Sequence, residues 1–481
     1  MRKQNIFTRT TISALIASSL VVASAPVFAD DATQINDLEH RLNNVENAIR
    51  GLPTGKGIKV GGVDLKLGGF LASETAYRSR SLQADISSPF SQIPFASTIG
   101  DNRYNQSEFR GTERQSRFSI EAVGHVSPSI VATGYYELDF LGAAQTANPN
   151  QSNSYQPRTR HVYANIDWLD SGFHLLAGQT WSLVTLQTEG LDAKHHWTPL
   201  TIDAQYVVGF DWTRQWQLRL TQDWGKKYWA AISFENSQTH GVGGTSPSPV
   251  YGTTLPNTGG SLFNSLNTMS YNKYPDIVVK LAADTDFGHY EIYDLSRNFQ
   301  SSSTTTGAAV NTWTNAFGLG AVIPVIPKSL QFQATYLTGK GIGRYGTTQL
   351  DDATYDASGA LMPLKGTDYL LGLTWEADPK WVIYGNVGQE KVDSNTYTAG
   401  ATTYGFGDGV SAAANPGGYL KDAKQATAGF WWSFYKGSFG ALKFAMQYSH
   451  TTLDAFATGA AGTPTSTDDN MLFTSLRYYP F

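Results

Sequence analysis

The residues in this chain best suited to do chemistry are its arginines. Beyond residue 29 there are fifteen, and ten of them fall between Arg78 and Arg219. A guanidinium stays charged at any working pH and presents its donors as a planar fork, so several together select carboxylates and related anions. Six are candidates for that role: Arg78, Arg80, Arg117, Arg160, Arg214 and Arg219. With Arg114 and Arg158, most of these stand at the ends of segments with period-two hydrophobicity, where antiparallel neighbours bring them to a similar height on one wall. Alternation then assigns faces. Leu65, Leu67 and Leu71 share one face, so Arg78 and Arg80 fall on the other with Lys66 and Glu74. Arg117 lies opposite Phe118 and Ile120, and Arg219 opposite Leu218 and Leu220. Strict alternation puts Arg158 and Arg160 on the apolar face of Val162 and Ala164, and Arg214 beside Trp216, unless a β-bulge turns them. The plain alternative for each arginine is a rim charge that touches lipopolysaccharide or a loop.

The acidic counterpart lies near 181–212, with Glu189, Asp192 and Asp203 as candidate constriction-loop residues beside Lys194, His195, His196 and Tyr206. A loop of this length, folded into a lumen, would set acids across from the arginine arc. Charged solutes would then cross a transverse field. His195-His196 has no third ligand at useful spacing, so no metal is expected. No Gly-x-Ser-x-Gly motif occurs. No catalytic residue, cofactor or enzymatic activity is expected.

These side chains need elements to hold them. The first 29 residues read as an export signal: Arg2, Lys3 and Arg9, an apolar run from Ile12 to Val22, and Val27-Phe28-Ala29 before a cut. Its removal takes Lys+Arg from 35 to 32 against 40 Asp+Glu, a net charge of −8. No nucleic-acid partner is expected. There is no cysteine, so no disulfide staples the exported chain. Residues 30–57 hold Ile35, Leu38, Leu42, Val45 and Ile49 at spacings of three and four, stopped by Gly51 and Pro53. That is the a/d stripe of a short coiled coil, and a lone helix of this length is marginal in water. A homotrimeric periplasmic stalk is the expectation.

From 58 to 481 the period becomes two. Sixteen strands are expected, near 63–78, 114–125, 129–140, 158–168, 172–180, 213–222, 227–236, 275–284, 287–297, 311–322, 328–338, 366–376, 380–391, 424–434, 438–450 and 469–481. Seven tight turns alternate with eight long loops, the last near 451–468 and one near 298–310. Trp168 and Phe173, Trp224 and Tyr228, Phe287 and Tyr290, and Trp375 and Trp381 flank the tight turns as an aromatic girdle. No stretch beyond residue 30 approaches the ~20 apolar residues of a helical span. A mean hydropathy of −0.28 suits a wall that shows lipid only every second residue. The expected fold is all-β: a 16-stranded antiparallel transmembrane barrel in the outer membrane, closing on a strand that ends in Phe481. In that strand Ser475 and Arg477 occupy positions expected to be apolar, and a bulge or a trimer contact would explain them.

Several motifs carry a family resemblance. Arg114-Gln115-Ser116-Arg117-Phe118, Tyr136-Glu137-Leu138-Asp139-Phe140-Leu141-Gly142, Arg158-Thr159-Arg160, Gly178-Gln179-Thr180-Trp181 and Trp212-Thr213-Arg214-Gln215 follow in order. Together they resemble the DcaP-like porins of Gram-negative outer membranes, with motifs that stop near residue 222. The resemblance implies a homotrimer of sixteen-stranded barrels with an N-terminal coiled coil, and uptake of small anionic solutes such as dicarboxylates. It implies pore-lining roles for Arg117, Arg160 and Arg214, and so favours a bulge or an infolded loop over strict alternation. The expectation is a passive porin for small hydrophilic solutes favouring small organic anions. The alternatives are a specific porin for sugars or aromatic compounds, with Tyr135, Trp229 and Trp431 in the lumen, or a plugged structural or adhesion barrel.

Overall fold

The computed structural model describes residues 57–96, 102–142, 155–247, 270–303, 306–407, 419–456 and 464–481. The expected signal and almost all of the coiled-coil segment lie outside the described residues. The chain divides into Met1–Lys59 and Val60–Phe481, and the second unit is a closed barrel.

Its sixteen strands are β1 (Val63–Arg78), β2 (Arg117–Ser127), β3 (Ile130–Gly142), β4 (Gln156–Trp168), β5 (Phe173–Trp181), β6 (Arg214–Trp224), β7 (Tyr228–Glu235) and β8 (Asp276–Thr285), followed by β9 (Gly288–Ser302), β10 (Ala309–Ile326), β11 (Leu330–Lys340), β12 (Lys365–Asp378), β13 (Trp381–Val392), β14 (Leu420–Gly437), β15 (Gly440–Ala455) and β16 (Ser466–Tyr479). Each pairs antiparallel with the next. β1 closes the ring by splitting its length: Val63–Phe70 pair with β2, while Leu71–Arg78 pair with β16. Closure satisfies every edge, which a wall in lipid requires.

Period-two alternation appears directly as accessibility. In β15, Met446 and Tyr448 are exposed on the outside while Ala445, Gln447, Ser449 and Thr451 are buried inside. In β11, Tyr336 faces out while Gln333 and Thr335 face in. Leu371, Leu373, Trp375, Ile383 and Val387 continue the outward apolar band on β12 and β13. Trp224, Tyr228 and Phe287 sit exposed at the short-turn end, and Trp168 packs on Phe173 at 5.5 Å. Such a band on a closed barrel marks an outer-membrane protein. By the same rule the short turns face the periplasm and the long loops face outward.

Five details differ from expectation. The second strand enters the barrel at Arg117 rather than 114, because Glu113–Ser116 forms a turn closed by Ser116 N–H donating to Glu113 O at 2.9 Å. A short strand, Glu108–Thr112, pairs antiparallel with Glu74–Arg78 of β1 above it. The loop near 298–310 shrinks to 303–308, since β9 and β10 remain paired from His289↔Val322 to Ser302↔Ala309. The last strand ends at Tyr479, and Pro480 has no N–H to continue the ladder. Ser475 and Arg477 need neither a bulge nor a trimer contact. Both point into the lumen beside Glu74, with Leu476 outward between them.

The interior is filled by loops rather than by a second layer. Leu82, Ile86, Phe90 and Ile93 pack against Ala423, Ala445, Leu453 and Phe473 of the wall. Leu183, Val184 and Leu191 pack against Trp229, Val278, Tyr293 and Leu295.

Candidate functional site

The segment 182–213 joins β5 to β6 by crossing the lumen. Its backbone donors land on side chains that the wall turns inward. Leu183 N–H donates to Glu235 at 2.8 Å, Gln187 to Glu291 at 2.9 Å and Gly190 to Asp284 at 3.0 Å. On the far side, Val208 donates to Gln425 at 3.1 Å and Gly209 to Glu390 at 2.8 Å. Lys280 returns the contact by donating to Thr185 O at 3.0 Å, and Trp431 Nε1 donates to Leu200 O at 2.7 Å. Inward acids and amides are what a loop needs to bury its backbone without orphaned N–H groups.

The loop leaves a cavity of 440 Å³ against β2–β5 and β13–β16. Arg117, Arg160, Arg477, Lys194 and Lys443 line it, against Glu121, Glu137 and Asp203. Five cations therefore face three carboxylates. Trp181, Tyr135, Tyr163, Tyr206 and Trp431 supply aromatic surface.

Arg160 reaches the cavity through a bulge. Glu137 pairs with His161 and Leu138 with Thr159, so Arg160 is the extra residue. The bulge lets both Arg160 and His161 point inward, and it carries Arg158 inward as well. Arg160 donates to Glu137 at 2.5 Å and to Asp139 at 3.1 Å, while Arg158 holds Asp139 at 2.7 Å. Arg117 differs. It stacks on Phe70 at 5.4 Å, makes no ion pair among the described residues, and its Nε is buried without a partner. Arg214 turns inward where β6 leaves the loop and lies over Trp181 and Trp212 at 4.9 and 5.0 Å.

The other three nominated arginines are committed to loops. Arg78 is fully buried, bonded to Glu108 at 3.0 Å, to Ser88 and to the Ala84 and Asp85 carbonyls. Arg80 lies at the rim on Tyr104 and Asp468. Arg219 donates to Gln217, to Leu191 O and to Trp181 O, so it anchors the infolded loop.

The nominated acids separate in the same way. Asp203 lines the arginine cavity, accepts from Ser88 N–H at 3.1 Å and Gln205 N–H at 2.9 Å, and keeps one oxygen unpartnered. Burial pushes its carboxyl upward. Glu189 and Asp192 hold His195 at 3.1 and 2.7 Å and line a second cavity of 380 Å³ toward the short turns. His195 is pushed up by its hydrogen bond to Asp192, with burial opposing. His196 faces the arginine cavity and is pushed down to about 4 by burial, so it is neutral at pH 7. Burial alone would raise Tyr206, but Arg160, Arg214 and Arg117 outweigh it and draw the phenol down to about 8.

Sequence reasoning named Lys194 only as a neighbour of the loop acids and Glu137 and Asp139 only within a motif, and it gave none of them, nor Lys443, a lumen role. It met Arg477 only as an anomaly of the last strand, although a charge at an inward parity of a barrel strand is itself a lumen signal. Tyr135 and Trp431, expected in the lumen, line the arginine cavity, and Trp229 lines the second one.

No family model and no curated protein matches the sequence. Among solved structures, the outer-membrane channel DcaP of Acinetobacter baumannii superposes with a TM-score of 0.62 at 16% identity, covering 88% of this chain and 99% of that one. Salmonella typhi OmpF in complex with daunomycin gives 0.48 at 11% identity, covering 88% and 99%. The anion-selective porin from Comamonas acidovorans gives 0.47 at 10%, covering 87% and 99%. The resemblance first read from five motifs between Arg114 and Gln215 thus extends, as fold, over the whole barrel: this is an outer-membrane barrel with the fold of the DcaP channel.

Proposed function

We propose that this protein is an outer-membrane diffusion porin for small hydrophilic solutes, favouring small organic anions such as dicarboxylates. The observation that carries this is Arg117. It lines the lumen cavity beside Arg160 and Arg477 and makes no ion pair among the described residues, while Glu137, the acid whose charge reaches it, is bonded to Arg160. A guanidinium that only shares its counter-charge in a partly dry site is costly to the fold, and a passing anion supplies the rest. Among the residues that line the cavity, cations outnumber carboxylates five to three, with Asp139 and Glu74 bonded behind Arg160 and Arg477, and lining charge sets selectivity. The test is the reversal potential in a salt gradient across a planar bilayer. Arg117→Gln is expected to lower the anion-over-cation permeability ratio by about threefold or more. An unchanged ratio would remove Arg117 from the filter, and the absence of any open channel would favour a plugged structural barrel.

A second reading has its own support. Trp181, Trp431, Tyr135 and Tyr206 border the same cavity, which suits a pore specific for aromatic compounds. Block of current by benzoate but not by acetate would favour it.

The proposal includes an export signal over 1–29, a periplasmic coiled-coil segment over 30–57 and a homotrimer whose outer rim contacts lipopolysaccharide. The outer face of β2–β5 supports the trimer. It holds a patch of small residues, Ala122, Gly124, Ala132, Gly134, Ala164 and Ala177, bordered by Phe118, Tyr136 and Val162, whereas β10–β12 present Phe317, Leu319, Leu371 and Trp375. A Cβ at Gly134 would meet nothing within 4 Å, so packing within the barrel does not require glycine there. A close-approaching second copy would. Gly134→Trp should convert a heat-dissociable trimer to monomer on semi-native gels, and a trimer that persists would exclude this face.

A further inference from the structure

Above the arginine cavity, toward the long loops, a vestibule of 540 Å³ opens. The two chambers share a wall: Asp139 binds Arg158, which lines the vestibule, and Arg160, which lines the cavity below. We propose that this vestibule is a hydrogen-bonding subsite for carboxylates that also bear hydroxyl groups, placed ahead of the arginine cavity. The inference rests on the anion-porin reading and adds the class of anion.

Three glutamines carry it. Gln83, Gln92 and Gln349 line the vestibule, are exposed to it, and their side-chain amides meet no hydrogen-bond partner among the described residues. An amide offers two donors and an acceptor with two lone pairs, so each can take a hydroxyl in either sense. Two of them stand on left-handed backbone, with φ of 53° at Gln83 and 57° at Gln349. Glycine adopts that conformation without steric cost, yet both turns bear an amide. Strained backbone under a polar side chain at an opening is consistent with a use for that side chain.

The walls that bear these amides are fixed. Gln205, at the crest of the infolded loop, donates to Thr347 O at 2.9 Å and accepts from Ser87 at 3.1 Å. It thereby ties 79–96 to 341–364, the two loops that bear Gln83, Gln92 and Gln349. Arg78 clamps the first loop through Ser88, and Arg297 holds the second through Asp352 at 3.0 Å. Positioned amides bind with less ordering cost than mobile ones. Arg114 and Arg158 supply the charge for the carboxylate, each already shared with one acid, Asp85 at 3.3 Å and Asp139 at 2.7 Å. A solute with only carboxylates uses the arginines alone, and one with added hydroxyls engages the amides too.

The test compares tartrate with succinate, four-carbon dicarboxylates of equal charge at neutral pH that differ by two hydroxyls. Each is added to either side of single channels in planar bilayers, and its occlusion of the chloride current is titrated. Tartrate is expected to bind about threefold tighter or more from one side, the effect of one modest net hydrogen bond. In a triple variant, Gln83→Gly and Gln349→Gly, which suit the backbone of both turns, with Gln92→Ala, all three amides are deleted and the two ligands should become equal. Equal binding in the parent protein, or a tartrate advantage that survives in the triple variant, overturns the vestibule proposal. The chloride-over-potassium reversal potential of the same channels reads the anion preference separately, and its absence overturns that reading instead.

Discussion

At the scale of single residues, partners decide what an arginine does. Arg117 and Arg219 both come from strands that predict an inward side chain, and both do point inward. Arg219 spends its donors on Leu191 O and Trp181 O, so it acts as a structural clamp. Arg219→Gln is therefore expected to leave anion preference within about twofold while destabilising the loop by roughly 1–3 kcal/mol, the cost of orphaned carbonyls; heat-modifiability and open-channel noise measure the second effect. The contrast was not legible in the sequence, because alternation gives a side chain's direction and says nothing of what meets it there. His195 gives a pH dependence. Its pKa is raised by Asp192, so its contribution is fully present below the ordinary value of about 6.5 and is lost as pH rises through the raised value. Hydrogen exchange over 189–195 should accordingly quicken at alkaline pH more than the intrinsic rate does. Flat protection would show that the His195–Asp192 pair does not hold the loop.

At the scale of elements, the infolded loop and the bulge are the two features that make a site out of a wall. The loop docks on β12 and β13 through Gly209, whose φ is +88° and whose hydrogen position faces the Tyr369 carbonyl so closely that a Cβ would collide with it. Gly209→Ala is expected to lift this part of the loop at a cost of about 2 kcal/mol or more. Single-channel conductance should rise; an unchanged conductance would mean that 209 does not set the pore's width. Strand positions were legible almost throughout, since every strand in the expected set has a counterpart, most within two or three residues at each end. Periodicity works here because lipid outside and polar loops inside impose opposite demands on successive residues. It fails at Arg160, where one extra residue shifts the count, and at Arg114–Ser116, where a turn interrupts an otherwise alternating run. Bulges depend on the partner strand's register, which one strand's sequence does not contain.

At the scale of the whole molecule, closure is the organising constraint. β1 is the seam, paired to β2 along its first half and to β16 along its second. Phe481 lies just past that seam, half exposed, with its ring 6.3 Å from Phe118 of β2. Deleting Phe481 is expected to block assembly in the outer membrane, read as loss of the heat-modifiable species; normal assembly would refute a role for the terminal ring. The loops then divide the space inside the closed wall into cavities. One is lined by Arg117, Arg160 and Arg477, and the one toward the long loops by Gln83, Gln92 and Gln349 with Arg114 and Arg158.

The amino-acid pattern by itself determined the barrel, its sixteen strands, the inward and outward faces of most residues, and the concentration of guanidiniums on one wall. These are local consequences of a period-two chain in a medium with two opposite solvents. Only the tertiary structure decided which guanidiniums stay available. That depended on where the loop 182–213 lies, since one pass of its backbone occupies Arg219 and leaves Arg117 facing the cavity. It also kept Glu189 and Asp192 out of the cavity lined by Arg117 and Arg160, and brought in Arg477 from the opposite end of the chain. The physical reason is that partnership is a long-range property: it is set by which strands the ring makes neighbours and by which wall carboxylates and amides accept the loop's N–H groups.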